Sequence, residues 1–229
     1  MNIEALLFDK DGTLFDFAAT WGAFGRSFLI RIADNDAERA AYLGGLIGFD
    51  IETGRYAADS VVIAGTPGEI ADALSEEFPN VALAEMVALI NEESARAPQV
   101  PAVPLVPFFD GLREKGLKLG VATNDGEAPA QSHLASVGIR EHFDFIAGFD
   151  SGHGAKPGPG QLLAFADHVG VAPMRVAMVG DSTHDLEAGR AAGMTTIGVL
   201  TGLADVEELS PLADVVLPNI GHIPGWLAA

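Results

Sequence analysis

Two carboxylates stand two residues apart in Asp9-Lys10-Asp11-Gly12-Thr13, directly after an apolar run over residues 3–8. Side chains alternate along an extended chain, so Asp9 and Asp11 are expected to point the same way. Lys10 is expected to face away from them as a local counter-charge. Two like charges held side by side repel, and a cation, a shared proton or open solvent must offset them. Further along lie Thr123-Asn124, Lys156-Pro157, and Gly180-Asp181 followed by Asp185. A carboxylate can attack phosphorus and form an aspartyl phosphate, which splits hydrolysis into two easier steps. A second carboxylate at +2 can protonate the leaving alkoxide and then take a proton from the attacking water. Lys156, the Thr123 hydroxyl and backbone N–H groups of the loop at Gly12 can hold equatorial phosphoryl oxygens. Asp9 and Asp181 offer the hard oxygens that Mg²⁺ takes alongside water and substrate phosphate.

These groups need a frame that brings them together. Residues 3–8 read as a buried strand. From about residue 108 onward the chain alternates, with helices over 108–115, 127–137, 161–169 and 186–192. Strands are expected over 117–122, 145–147, 176–179, 195–199 and 214–217. Such alternation predicts an α/β fold: a doubly wound parallel sheet with right-handed crossovers and helices on both faces. Ligands gather at the carboxyl ends of the strands in such sheets. Asp9 and Asp11 follow the first strand, Thr123 and Asn124 the second; Lys156 follows the third, Asp181 and Asp185 the fourth. Between residues 15 and 97 the pattern differs, being Ala-rich, acidic and helical with few strands. Phe24, Phe28 and Ile32 form one helical stripe, and Leu83, Met86, Val87 and Ile90 another. Pro98, Pro101, Pro104 and Pro107 then interrupt any helix and mark a linker or domain edge.

The 229 residues carry 32 acidic against 13 basic side chains, a net charge of −19. Clustered Lys and Arg are what phosphate backbones require, so nucleic acid is excluded as a partner. With no cysteine, disulfides, Cys-based zinc sites and a Cys nucleophile are excluded as well. No signal peptide and no membrane-spanning run is read, and a cytoplasmic location is expected.

The ordered set Asp9-Lys10-Asp11-Gly12-Thr13-Leu14, Thr123-Asn124, Lys156-Pro157 and Gly180-Asp181 with Asp185 resembles the four motifs of the haloacid dehalogenase-like hydrolase superfamily. Its phosphoglycolate phosphatase-like members are the nearest by pattern. The resemblance implies a Rossmann-like core of residues 1–15 and 103–229, with a helical cap of residues 16–102 inserted after the first motif. It implies a Mg²⁺-dependent phosphatase acting on a small phosphorylated metabolite, as a monomer or homodimer. Asp9 would be the nucleophile and a Mg²⁺ ligand. Asp11 would be the general acid/base, with its backbone carbonyl on the metal. Gly12, Thr123 and Asn124 would bind the phosphoryl group, and Lys156 would neutralise it and orient Asp9. Asp181 would ligate Mg²⁺; Asp185 would hold a metal-bound water or Lys156. The dehalogenating members carry no Asp at the second motif position, so Asp11 argues for phosphate esters. A phosphosugar mutase and a non-catalytic module retaining the fold are the alternatives. In the cap, Trp21, Arg26, Arg31, Arg55 and Tyr56 are candidate substrate contacts, as are His153 and His184 on the core.

Overall fold

The computed structural model describes residues 3–57 and 59–228. Its first strand, β1 (Ala5–Phe8), is followed by a turn and the helices α1 (Phe17–Ile32) and α2 (Ala37–Leu46). A short antiparallel hairpin, β2 (Phe49–Asp50) and β3 (Arg55–Tyr56), comes next. Helices α3 (Val61–Ala64), α4 (Pro67–Leu74) and α5 (Leu83–Ser94) complete this segment. Then α6 (Leu105–Glu114), β4 (Lys118–Ala122), α7 (Glu127–Ser136), β5 (Phe145–Ala147) and α8 (Gly160–Val169) alternate. They are followed by β6 (Val176–Gly180), α9 (Thr183–Ala191), β7 (Thr195–Val199), α10 (Val206–Leu209), β8 (Val215–Leu217) and α11 (Ile223–Trp226).

Six strands form one parallel sheet in the order β5-β4-β1-β6-β7-β8. The strand alternation of β1 divides the core. Leu6 and Phe8 pack with Phe109 and Leu112 of α6 and Leu134 of α7. Ala5 and Leu7 pack on the other face with Leu162 and Phe165 of α8 and Ala188 of α9. Both faces are therefore covered, as the apolar, non-alternating strands require. Gly120 of β4 makes one such contact possible, since a Cβ there would lie 2.7 Å from the Phe165 ring. The order in which strands are added reverses between β1 and β6, and that switch point opens a crevice at their carboxyl ends.

The helical segment has a core of its own. Phe17, Trp21, Phe24 and Phe28 recur at helical spacing on α1 and meet Leu43, Ile70, Leu74, Met86 and Ile90. Each large side chain buried this way contributes about 1.5–3 kcal/mol. The hairpin, a feature the periodicity reading did not assign, packs on α1 where Gly25 leaves room: a Cβ there would stand 2.5 Å from the Tyr56 hydroxyl. Asp16 caps α1 by accepting from the Ala19 amide. The two connections to the sheet run side by side, with Asp16 N–H on Val100 O at 2.8 Å and Ala102 N–H on Leu14 O at 2.9 Å. Helix α6 starts at Leu105, three residues before the expected position, because Pro107 sits in the first turn where its missing N–H costs nothing. Helix α9 likewise starts at Thr183, capped by Ser182.

Candidate active site

Each chemical side chain leaves the end of a strand. Asp9 follows β1, Thr123 follows β4 and Asp181 follows β6. Lys156 reaches them from the loop after β5, and its Nζ donates to Asp9 Oδ1 at 2.6 Å, Asp185 Oδ1 at 2.6 Å and Ala122 O at 2.8 Å. All three of its protons are thus engaged. Burial pulls the Lys156 pKa down, but Asp185 and Asp9 outweigh burial and hold it above its ordinary value. Ser182 caps α9 and donates to Asp185 Oδ2 from both its amide and its hydroxyl, so Asp185 is fixed from two sides. The structure thus pairs Asp185 with Lys156, one of its two expected partners.

Asp11 and Lys10 depart from simple alternation. The strand ends at Phe8, and the turn that follows swings Lys10 inward. Lys10 is fully buried, with Nζ 2.6 Å from Asp11 Oδ2, 3.0 Å from Asp125 Oδ2 and 3.0 Å from His133 Nδ1. The expectation that Lys10 faces away is corrected: it holds one oxygen of Asp11. The other, Oδ1, is buried and has no partner. His133 Nε2 lies 2.7 Å from Ser94 O, so it donates there and Nδ1 accepts from Lys10; the ring is neutral. Burial, then Lys10, keeps the His133 pKa below its ordinary value. Ser94 of α5 also donates to Asp125 Oδ2, tying the helical segment to this network.

The Thr123 hydroxyl accepts from the Asp125 amide at 3.0 Å, leaving its proton free to donate. Asn124 uses its side-chain amide as a brace. Its Nδ2 donates to Lys156 O and to Ala64 O of α3, and its Oδ1 accepts from Lys156 N. Gly12 enters differently from expectation. Its N–H, read as open to phosphate, donates to Phe15 O at 2.8 Å. Its φ is +82°, and a Cβ there would fall 2.3 Å from Asp181 Oδ2, so glycine is required for the turn and for the close approach. Gly202 approaches the same carboxylate, and a Cβ there would fall 1.6 Å from Asp181 Oδ2. Sequence reading did not single out Gly202, Asp125, His133 or Ser94.

Asp9, Asp181 and Asp185 bring carboxylate oxygens within 4.8 Å of one another. Burial first, then Asp185 and Asp11, push Asp9 up to about 7, against the lowering effect of Lys156. Burial and then Asp9 and Asp185 raise Asp181 well above the usual carboxylate range. Five carboxylates, counting Asp11 and Asp125, face two ammoniums, Lys10 and Lys156. This excess of hard, buried oxygens fits a divalent cation with oxygen coordination.

The crevice is closed on its far side by the helical segment, which contributes Phe17, Trp21, Val62, Ile63, Ala64 and Gly65. The last four belong to α3 and its cap, a short element held by the Ser60 hydroxyl on Ile47 O. The apolar stretch between Ser60 and Thr66-Pro67 was the sequence signal for it. Of the residues expected to touch substrate, Trp21 and His184 line the crevice and the arginines do not. Arg26 donates to Glu52 O, and Arg31 pairs with Glu92 and Glu93. Arg55 and Tyr56 line a separate surface pocket, and the His153 ring lies against Phe145.

A profile of the haloacid dehalogenase-like hydrolases matches residues 3–193. The chain belongs to the haloacid dehalogenase-like hydrolase family. It is 31% identical to a protein of Xanthomonas campestris pv. campestris named phosphoglycolate phosphatase, with 97% of each chain covered. It is 29% identical to Probable phosphatase IndB of Dickeya dadantii, over 96% of this chain and 91% of that one. Among solved structures, a haloacid dehalogenase-like hydrolase from Bacteroides fragilis superimposes with a TM-score of 0.74 at 22% identity, covering 96% of this chain and 99% of that one. The matched range, residues 3–193, spans Asp9, Asp11, Thr123, Lys156, Asp181 and Asp185.

Proposed function

We propose that this hydrolase cleaves the phosphoric monoester of a small metabolite in two steps through a phosphoaspartate on Asp9. The observation that carries the reading is the Lys156 Nζ locked between Asp9 and Asp185, beside an Asp11 carboxylate with one oxygen held by Lys10 and the other unpartnered. Lys156 engages Asp9 Oδ1, which orients Oδ2 for attack on phosphorus. As the P–O ester bond breaks, Asp11 Oδ1 gives its proton to the leaving alkoxide. In the second step Asp11 takes a proton from the attacking water, inorganic phosphate departs and the Asp9 carboxylate returns. The Thr123 hydroxyl donates to a phosphoryl oxygen, and Asn124 holds the Lys156 loop that frames it. Asp9 and Asp181, with the Asp11 carbonyl, would hold Mg²⁺, which supplies positive charge against the phosphoryl oxygens and the carboxylate cluster. The inserted helical segment of residues 16–102 acts as a cap that shuts water out of the crevice.

The test is phosphate release from a panel of monoesters, with Mg²⁺ or with excess EDTA, beside Asp9→Asn. Release that requires Mg²⁺ and vanishes in the variant is expected. The same turnover in wild type and Asp9→Asn would refute the covalent route. Transfer of label between sugar hydroxyls without net release would indicate a mutase.

A further inference from the structure

The crevice is rich in charge on its core side and holds none on its cap side. Phe17, Trp21, Val62, Ile63, Ala64 and Gly65 form that wall. A wider groove continues from it past His184 to Leu203 and Ala204, and its ionisable lining includes Asp59, Glu69 and Glu208. Among the described residues, Lys156 is the one Lys or Arg that lines either space. Its three protons are already committed to Asp9, Asp185 and Ala122 O. The cap arginines Arg26 and Arg31 are bound to Glu52 O and to Glu92 and Glu93. On the cap side, a leaving group bearing a carboxylate would therefore find no Lys or Arg to pair with, a costly position for a charge drawn out of water.

The same wall carries one buried side-chain hydrogen-bond donor without a partner. Trp21 is 6% exposed and lines the crevice, and its Nε1 has no partner. Its ring stacks against Phe17 at 6.2 Å with a 19° interplanar angle, so the indole is held as part of a flat aromatic surface. A buried N–H left unpaired is expensive and is expected to meet an acceptor when the site is filled.

We infer that the leaving group of the substrate is uncharged, with an apolar or planar body against the Phe17–Trp21 wall and a neutral acceptor that accepts a hydrogen bond from Trp21 Nε1. Trp21 is then a specificity residue, and esters such as phosphoglycolate, named for the Xanthomonas relative, are poor substrates. This rests on the phosphatase reading above.

The experiment compares kcat/KM, with Mg²⁺ present, for phosphoglycolate, 2-hydroxyethyl phosphate, ethyl phosphate and phenyl phosphate. The first two differ chiefly in a carboxylate against a neutral hydroxymethyl group. The neutral ester is expected to exceed phosphoglycolate by more than about tenfold, the scale of one hydrogen bond to a charge withheld. Trp21→Phe keeps the ring and deletes the donor. It is expected to lower kcat/KM for 2-hydroxyethyl phosphate by about tenfold and for ethyl phosphate by less than about twofold. Ile63→Arg, which adds a cation to the wall, is expected to raise phosphoglycolate relative to its neutral analogue. Phosphoglycolate matching or exceeding the neutral ester overturns the inference while leaving the phosphatase reading intact. Equal losses on both esters in Trp21→Phe overturn the role of Nε1. Failure of a folded, Mg²⁺-loaded protein to release phosphate from any of the four overturns the phosphatase reading, and the inference with it.

Discussion

Lys10→Met removes a charge from the middle of a buried ionic network. Lys10 is 0% exposed, and it stands 2.6 Å from Asp11 and 3.0 Å from Asp125. At an effective dielectric of about 20, Coulomb's law gives roughly 6 kcal/mol for the first pair and about 5.5 for the second. Most of that attraction is offset by the several kcal/mol spent in desolvating each ion. Methionine fills the volume but leaves two carboxylates without their cation, and leaves His133 Nδ1 without its donor. Breaking a buried pair from one side costs about 3–5 kcal/mol, and that loss is expected in urea unfolding at pH 7.5. It is a large share of the roughly 5–15 kcal/mol that typically separates folded from unfolded chains. Adding Asp125→Asn to Lys10→Met removes one of the stranded charges, so the double variant is expected to recover at least about 1 kcal/mol. A single variant within about 1 kcal/mol of wild type, or a double variant less stable than the single, would refute the network as drawn. Turnover is expected to fall as well, because Lys10 holds Asp11 Oδ2.

Three further predictions concern the surrounding residues. His133 has a folded pKa below its unfolded value, so the unfolded chain binds its proton first as pH falls. The His133 contribution to stability is fully present above about pH 6.5 and is lost below it by at most about 1.4 kcal/mol per pH unit, so the stability difference between wild type and His133→Gln should shrink in urea titrations from pH 7.5 to 6.5 to 5.5. Gly12→Ala forces a side chain into φ +82° and against Asp181. More than about 2 kcal/mol of stability is expected to go, together with at least tenfold in Mg²⁺ affinity by calorimetry. Asn124→Ala cuts the bonds to Lys156 and the bond to Ala64, and is expected to lower kcat/KM at least tenfold and speed amide exchange over residues 61–66. Unchanged exchange there would count against Asn124 as the brace between α3 and the sheet.

Much of this was legible in the chain. Apolar runs of four to six residues, each ending in a polar turn, are local patterns, and a parallel sheet is the arrangement that buries such strands on both faces. The strands over 145–147 and 195–199 lie where the runs placed them. Helix starts were less clear, because capping by Ser182 or a Pro in the first turn extends a helix beyond its apolar stripe. The hairpin of β2 and β3 has two residues per strand, too few for a period to register.

The order and types of Asp9, Asp11, Thr123, Lys156, Asp181 and Asp185 belong to the sequence alone, since strand ends bring such groups to one rim whatever the packing details. What surrounds them was decided by tertiary structure. Lys10 meets His133 across 123 residues of chain, and no local rule relates the two. The turn after Phe8, the loop after β4 and the end of α5 must converge before Lys10 can find Asp125, His133 and the Ser94 network. The cap wall has the same origin. Arginine and tryptophan were equally plausible there by residue type, but Arg26 and Arg31 found carbonyl and carboxylate partners within the cap, and Trp21 lines the crevice with its Nε1 unpaired. Periodicity reports which face of an element is apolar; only the packed chain shows which polar atoms remain unpaired, and those are the atoms left to meet a substrate.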